Sequence, residues 1–354
     1  MQICILGDCH FGMRADSLEF HNHYRKFYET VFFPFLVKHN IKVIYQLGDL
    51  FDRRKYINFN TLYLTKQYFF NLARELGITI HTLIGNHDVY YKNTLDVNSS
   101  KLLLEEYENL IVHQNPKTVE IDGIPVDIIP WICSENEKEI AEFIRNSTSQ
   151  ICFGHFEIAG FEMDRGNVCH EGLDKKMLRR YDVVLSGHFH HKSSDGHITY
   201  VGTPGEMTWA DFNDPRGFHI FDTETRNLKF VENPYTIFKK ITYDDANQDF
   251  NFWKDYDYEQ FKNSYVKIVV LNKQNPYLFD TMLDNLYKVS PADISVVEDF
   301  TDMMTDNDPD IVDQAEDTIT ILNSYIDTLT LNVDSEKLKL LMREFYVEAL
   351  NTEN

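Results

Sequence analysis

Three things are scarce in this sequence, and each closes off a class of protein. Cysteine comes first: Cys4, Cys9, Cys133, Cys152 and Cys169 are five in number, and no two form a Cys-x-x-Cys pair. That argues against a disulfide framework or a thiolate zinc knuckle, and for buried thiols in a reducing, cytoplasmic setting. Long apolar runs are missing too, since no stretch approaches the ~20 residues of a membrane-spanning helix. A signal peptide is not expected, because Asp8 and His10, candidate ligands below, stand too close to Met1. Positive charge is the third shortage. Lys and Arg number 34 against 56 Asp and Glu, a net charge of −22, the wrong sign for a free-standing nucleic-acid binder. Much of the excess is local: residues 292 to 354 hold 16 acidic and 3 basic side chains, hence −13, leaving −9 for the rest.

What the chain does have is a recurring junction, an apolar strand-like run ending in Asp, His or Asn. ICILGDCH places Asp8 and His10 after the first run, and VIYQLGD places Asp49 after the second. ITIHTLIGNHD gives Asn86, His87 and Asp88, ICFGH gives His155, and VVLSGHFH gives His188 and His190. Singly these signals are weak. A Gly-Asp after a strand is usually a turn, and a lone Gly-His is more often a satisfied loop histidine. His-x-His is better, because alternation along extended chain turns both rings the same way. In order and together they converge on the carboxyl edge of a sheet, where open α/β folds place ligands. Carboxylate, amide oxygen and imidazole without thiolate suit manganese, iron, zinc or magnesium.

Periodicity sets the frame. Strand-like Gln2–Leu6, Lys42–Leu47 and Thr79–Leu83 alternate with helical stretches at Leu18–Lys38 and Thr61–Leu76, an α/β alternation. VEIDGIPVDII reads as a hairpin turning at Asp122-Gly123, and further strands are expected at Gln150–Phe153, Asp182–Leu185, Ile198–Val201 and Phe218–Phe221. Near residue 230 the pattern changes: Tyr265–Leu271, a helix over Leu278–Tyr287 and Ile294–Val297 make a small α/β unit. The expected parts are a main domain over 1–228, a cap over 229–300, an acidic linker over 301–310 (within TDMMTDNDPD) and a helical segment over 311–354. In that last segment Leu338, Leu341, Met342 and Phe345 share one helical face, behind Asp334 or Ser335 as N-cap. Such a face suits self-packing or docking on a partner; docking is the expectation adopted.

The series DxH, GD, GNHD, GH and GHxH resembles the signature of calcineurin-like metallophosphoesterases. GDLFD, IPW, SGHFH and VGTP followed by DPRGF resemble the SbcD-type nuclease subunits of double-strand-break repair complexes, above all the T-even-like bacteriophage recombination endonucleases. The resemblance implies a four-layer αββα sandwich with an α/β cap that helps choose the DNA substrate. It implies two divalent cations, manganese or alternatively magnesium, bridged by Asp49. Asp8, His10 and His190 would complete one site, and Asn86, His155 and His188 the other. The pair would acidify a water for in-line attack on phosphorus. His87 is the expected general acid, oriented by Asp88, with simple support of a neighbouring ligand as its blander role. The C-terminal helices would grip an SMC-like ABC ATPase, and a homodimer is compatible with this.

Arg53, Arg54 and Lys55 are the expected phosphate-backbone contacts, although Asp52-Arg53 could equally be a helix-start charge pair. Asp52 stands where cellular relatives commonly carry histidine, and it gives the chain the GDxxDR of protein phosphatases. The function expected is thus a metal-dependent DNA exonuclease and single-strand endonuclease. A phosphomonoesterase or cyclic-nucleotide phosphodiesterase of the same superfamily is the second reading, and a non-catalytic scaffold the third.

Overall fold

The computed structural model describes residues 1–164 and 167–298, and beyond them position 338 alone. The expected linker and docking segment, with Leu341, Met342 and Phe345, lie outside the described residues; Leu338 is helical and half-buried.

Two sheets carry the fold. The first runs, edge to edge, through Leu228–Glu232, Gly217–Asp222, Gln2–Leu6, Val43–Gln46, Thr79–Leu83 and Leu110–His113. Its last four strands are parallel, and Gly217–Asp222 joins antiparallel to Gln2–Leu6. The second runs through Ser193–Ser194, Ile198–Tyr200, Val183–Gly187, Ile151–His155, Ile124–Ile129 and Lys117–Ile121, with a parallel centre. Alternation along each strand sends successive side chains to opposite faces. Ile3 and Ile5 pack with Tyr45, Leu83, Val126, Phe153 and Leu185 between the sheets. Cys4 and Leu6 face outward beneath Phe27, Phe32 and Phe69 of the helices. Cys152 and Val184 of the second sheet lie beneath Ile140 and Ile144 of the helix Glu137–Asn146. Helix, sheet, sheet, helix is the four-layer α/β arrangement expected, and all five cysteines are buried and free.

The two helical stretches expected at Leu18–Lys38 and Thr61–Leu76 are each interrupted by a π-helical turn. Leu18–Phe27 passes through Tyr28–Phe32 into Phe33–Lys38, and Phe59–Thr65 passes through Lys66–Asn71 into Leu72–Glu75. An extra residue in a turn rotates the face that follows it. That lets consecutive aromatics, Phe32-Phe33 and Tyr68-Phe69-Phe70, all be buried in one cluster. At Asp122-Gly123 both residues have positive φ, 55° and 75°, as a two-residue hairpin loop requires.

The smaller unit is a three-stranded sheet, Phe238–Asp244, Tyr265–Asn272 and Asp293–Val297, under the helix Pro276–Lys288. Ile241, Trp253, Ile268, Phe279 and Met282 form its own core. Its first strand was not anticipated. Where that strand begins, the buried Glu206 carboxylate accepts the N–H groups of Ile237 (2.7 Å) and Phe238 (3.0 Å). Burial pushes the Glu206 carboxyl up to about 7, against the pull of those two N–H groups. Between the ordinary carboxyl value of about 4.5 and that value, the native chain keeps a proton that the unfolded chain has released. Raising pH through this window therefore costs stability, by about 1.4 kcal/mol per unit. Denaturant unfolding at pH 5 and pH 7 should show Glu206→Gln gaining on the wild type at the higher pH. Parallel losses in the two proteins would remove Glu206 from the account.

Candidate metal centre

The carboxyl ends of five strands converge. Gly48 has φ 99° and Asp49 φ 53°, so the chain turns sharply after Val43–Gln46. A Cβ at Gly48 would stand 2.4 Å from the His155 ring, which only glycine avoids. The turn carries the Asp49 carboxylate to the middle of the site. Its Oδ1 accepts the His87 N–H at 2.8 Å. Its Oδ2 lies 3.3 Å from His155 Nε2 and 3.8 Å from His10 Nε2.

Around Asp49 three sets of donors stand close enough to hold a cation: Asp8 with His10 and His190, Asp49 with His155 and His188, and His10 with Asp52 and His87. In the first, His10 Nε2 and His190 Nε2 are 3.1 Å apart, and Asp8 Oδ2 is 3.9 Å from His190 Nε2. In the second, Asn86 Oδ1 is 2.9 Å from both His155 Nε2 and His188 Nδ1. His155 Nδ1 donates to the Leu47 carbonyl at 2.7 Å, fixing the tautomer that leaves Nε2 free to ligate. All seven residues expected as ligands are thus brought together. Donor pairs about 3 Å apart suit two ligands of one cation held ~2.1 Å from each.

Electrostatics fits the same reading. Burial, reinforced by the Asp49 charge, pushes the Asp8 carboxyl up, against the pull of His155 and His10. Burial opposes ionisation of Asp49 as well, yet His155, His87 and His10 hold its carboxyl well below the usual range. Desolvation, together with the neighbouring His155 and His10 rings respectively, pulls His188 to about 3 and His190 well below the usual imidazole range, the neutral form that ligates a metal. Burial opposes protonation of His10 and His155 too, yet Asp52 and Asp49 respectively raise these two imidazoles to about 9, so they carry the positive charge that faces the buried acids and that bound divalent cations would replace.

His87 stands beside this cluster, its ring edge-on to His10 at 4.7 Å. Its Nδ1–H donates to the Asp52 carbonyl at 2.6 Å. Desolvation pulls its imidazolium below the usual range, with Asp49 opposing. The expectation that Asp88 orients this ring is corrected. The Asp88 carboxylate accepts the N–H groups of Gly85 (2.9 Å), Leu50 (2.9 Å) and Phe51 (3.4 Å). It ties the loop carrying Asp49 to the loop carrying Asn86, since unpaired N–H groups buried there would be costly.

Other neighbours were not expected in these roles. Asp52 Oδ1 lies 3.3 Å from His10 Nδ1, a carboxylate behind a ligating histidine. Glu157 reaches to 3.8 Å from His188 Nε2, and Trp131 packs against His155 and His188. Asp52 in GDLFD and Trp131 in IPW stood out as motif residues without showing these contacts, and for Glu157 its place two residues after His155 was the available signal. Of the basic trio, Arg53 lies over the Tyr56 ring at 5.0 Å. Arg54 is half-buried within the field of Asp49, and Lys55 is exposed.

The comparisons with known proteins agree with this geometry. Residues 1–192 match the calcineurin-like phosphoesterase family. The chain is 35% identical over 356 residues to "Exonuclease subunit 1" of Enterobacteria phage T4, covering 99% of each. It is 23% identical over 261 residues to an SbcCD nuclease subunit of Staphylococcus epidermidis, covering 64% of this chain and 67% of that one. The protein of the same name from Staphylococcus saprophyticus is 24% identical over 222 residues, 53% and 57% of the two chains. On its fold, the acids, amide and imidazoles that converge at its strand ends, and these matches, the chain belongs to the calcineurin-like phosphoesterase family.

Proposed function

We propose that the chain is a metal-dependent DNA nuclease that cuts phosphodiester bonds as the catalytic subunit of an ATPase-linked recombination complex. The observation that carries this reading is Asp49, whose carboxylate reaches toward both of the first two donor sets and so suits a bridge between two cations. Two manganese ions held there would supply Lewis acidity and acidify a water for in-line attack on phosphorus. The residues do the rest. Asp8, His10 and His190 hold one side of the site; Asn86, His155 and His188 hold the other. Asn86 contributes a neutral oxygen, which preserves net positive charge where a further carboxylate would cancel it. His87, which stands with His10 and Asp52 and is needed by neither of the two sites just named, is positioned to protonate the leaving 3′ oxygen. Its Nδ1 is already committed to the Asp52 carbonyl, so Nε2 is the nitrogen left to deliver that proton. Arg54, in the field of Asp49, offers with Arg53 and Lys55 positive charge for the DNA backbone.

The test is manganese-dependent cleavage of end-labelled duplex and single-stranded circular DNA, with EDTA as control. Turnover of p-nitrophenyl phosphate without any DNA cleavage would reassign the site to a phosphomonoesterase.

The charge of −22 bears on the partner. Such a chain is repelled by duplex DNA, so sustained cutting calls for a subunit that brings positive surface. Deleting residues 308 to 354 is expected to leave short-oligonucleotide cleavage intact. The same deletion should abolish co-elution with an SMC-like ATPase on size exclusion and its ATP-stimulated duplex activity. Undiminished co-elution of the shortened chain would free the helical segment from a docking role.

A further inference from the structure

The DPRGF stretch marks the chain's resemblance to nucleases, but the reaction just described gives it no task. Its arginine is almost fully buried, with every hydrogen-bonding nitrogen but Nε committed. Arg216 Nη2 donates to Asp211 Oδ1 at 2.5 Å and to Asp214 Oδ2 at 2.7 Å. Arg216 Nη1 donates to Thr203 Oγ1 at 2.8 Å and to the backbone carbonyl of His190. That carbonyl also accepts the Thr203 N–H at 3.2 Å. Gly202, at φ 69°, passes so close that a Cβ there would lie 2.8 Å from the same oxygen. One residue on, His191 Nδ1 lies 2.8 Å from Asp214 Oδ2. Asp211 Oδ2 is anchored in turn by the N–H groups of Met207 and Thr208.

The peptide held in this way belongs to a candidate ligand. His188 to His191 follow the strand Val183–Gly187 and have left the sheet, so no ladder fixes them. His188 itself sits at φ 86°, a strained conformation for a histidine that surrounding contacts must maintain. A buried arginine between two aspartates is rarely worth its desolvation as a stabiliser. Apolar replacements of such networks are often neutral or better for stability. What the network does supply is a fixed address for one carbonyl.

From this we infer that Arg216, with Asp214 and Thr203, is a positioning clamp that sets the His190 ring for its cation. The claim rests on the two-cation reading above. Losing the clamp should weaken only the site built from Asp8, His10 and His190. Asn86 and His155 follow other strands, and His188, although on the same segment as His190, is held by Asn86 Oδ1 and by the Asp8 carboxylate rather than by Arg216, so the site these three form should keep its affinity. Loss of a ligand-orienting partner typically costs about 10- to 100-fold in metal affinity.

The experiment titrates manganese into the full chain and follows free manganese by electron paramagnetic resonance, alongside thermal unfolding of the metal-free protein. Arg216→Lys keeps the charge but cannot span four acceptors, and Asp214→Asn loosens the clamp at nearly constant shape. In either variant that folds, one of two manganese sites is expected to weaken about 10- to 100-fold. Nuclease activity should return as manganese is raised, with the maximal rate largely recovered. Two sites of wild-type affinity in both variants would overturn the clamp. Equal weakening of both sites, in step with a lower unfolding temperature, would also overturn it and leave a purely structural arginine. If the wild type itself bound no manganese, the two-cation reading would fall first and the clamp with it.

Discussion

Asp49→Asn protein is expected to fold, to lose most of its bound manganese and to show no measurable DNA cleavage. The substitution is nearly isosteric, and an amide oxygen can still accept the His87 N–H that Asp49 Oδ1 accepts at 2.8 Å. It removes a negative charge that lies within 4 Å of both His10 and His155. Two dications ~3.5–4 Å apart repel strongly, and a bridging carboxylate is what makes their shared occupancy tolerable. The fold should survive, because burying an amide costs less than burying a carboxylate. His188→Ala should act similarly through the other side of the site, where Nδ1 approaches Asn86 Oδ1. The check is manganese per chain after gel filtration, set beside cleavage of labelled duplex. Chelation with EDTA should lower the unfolding temperature of the wild type and hardly change that of Asp49→Asn, since bound metal stabilises only a protein that binds it. Two tightly held manganese ions in Asp49→Asn would end the bridging assignment.

The second large effect separates chemistry from assembly. His87→Ala should keep both manganese ions and its DNA affinity while losing about 10²–10⁴ in turnover. The structure explains why this substitution is a clean one. His87 supports Asp49 through its backbone N–H, which alanine retains, so only the ring and its bond to the Asp52 carbonyl disappear. If manganese content fell to the level of the ligand variants, the ring would be a structural support and the proton donor would lie elsewhere. Asp88→Asn provides the contrast. Its carboxylate binds three N–H groups of the ligand loops, so that variant should lose metal affinity before it loses turnover at saturating manganese.

The residues of the donor cluster were legible as neighbours because each follows an apolar run directly. A strand end fixes where its next residues project, so order along the chain translates into convergence in space. Asp88 was misread for the opposite reason. Adjacency to His87 suggested a partner, but its partners are the N–H group of Gly85 and, far away in sequence, those of Leu50 and Phe51. The same holds for Asp52, whose carboxylate turns to His10. Both bonds depend on loop paths that periodicity does not carry. The strand Phe238–Asp244 escaped because FKKITYD mixes burial with charge, and its partner strand begins at Tyr265. The π-helical turns are invisible to a 3.6-residue period by definition. DPRGF stood out as a motif, but nothing short of the fold shows that its arginine ends on the carbonyl of His190.

The placement of Gln2–Leu6 inside the first sheet, between Val43–Gln46 and Gly217–Asp222, has a bearing on biosynthesis. Gln2–Leu6 leaves the ribosome long before Gly217–Asp222, so one of its edges waits for a strand some two hundred residues later before it is paired. Asp8 therefore emerges early but is seated late, and His190 cannot be fastened until Arg216 has been translated. Closing contacts this distant in sequence is slow, and it follows synthesis of the whole sandwich. A nascent or prematurely terminated chain should accordingly be harmless to DNA, with cutting power arriving in one step once translation has passed residue 222.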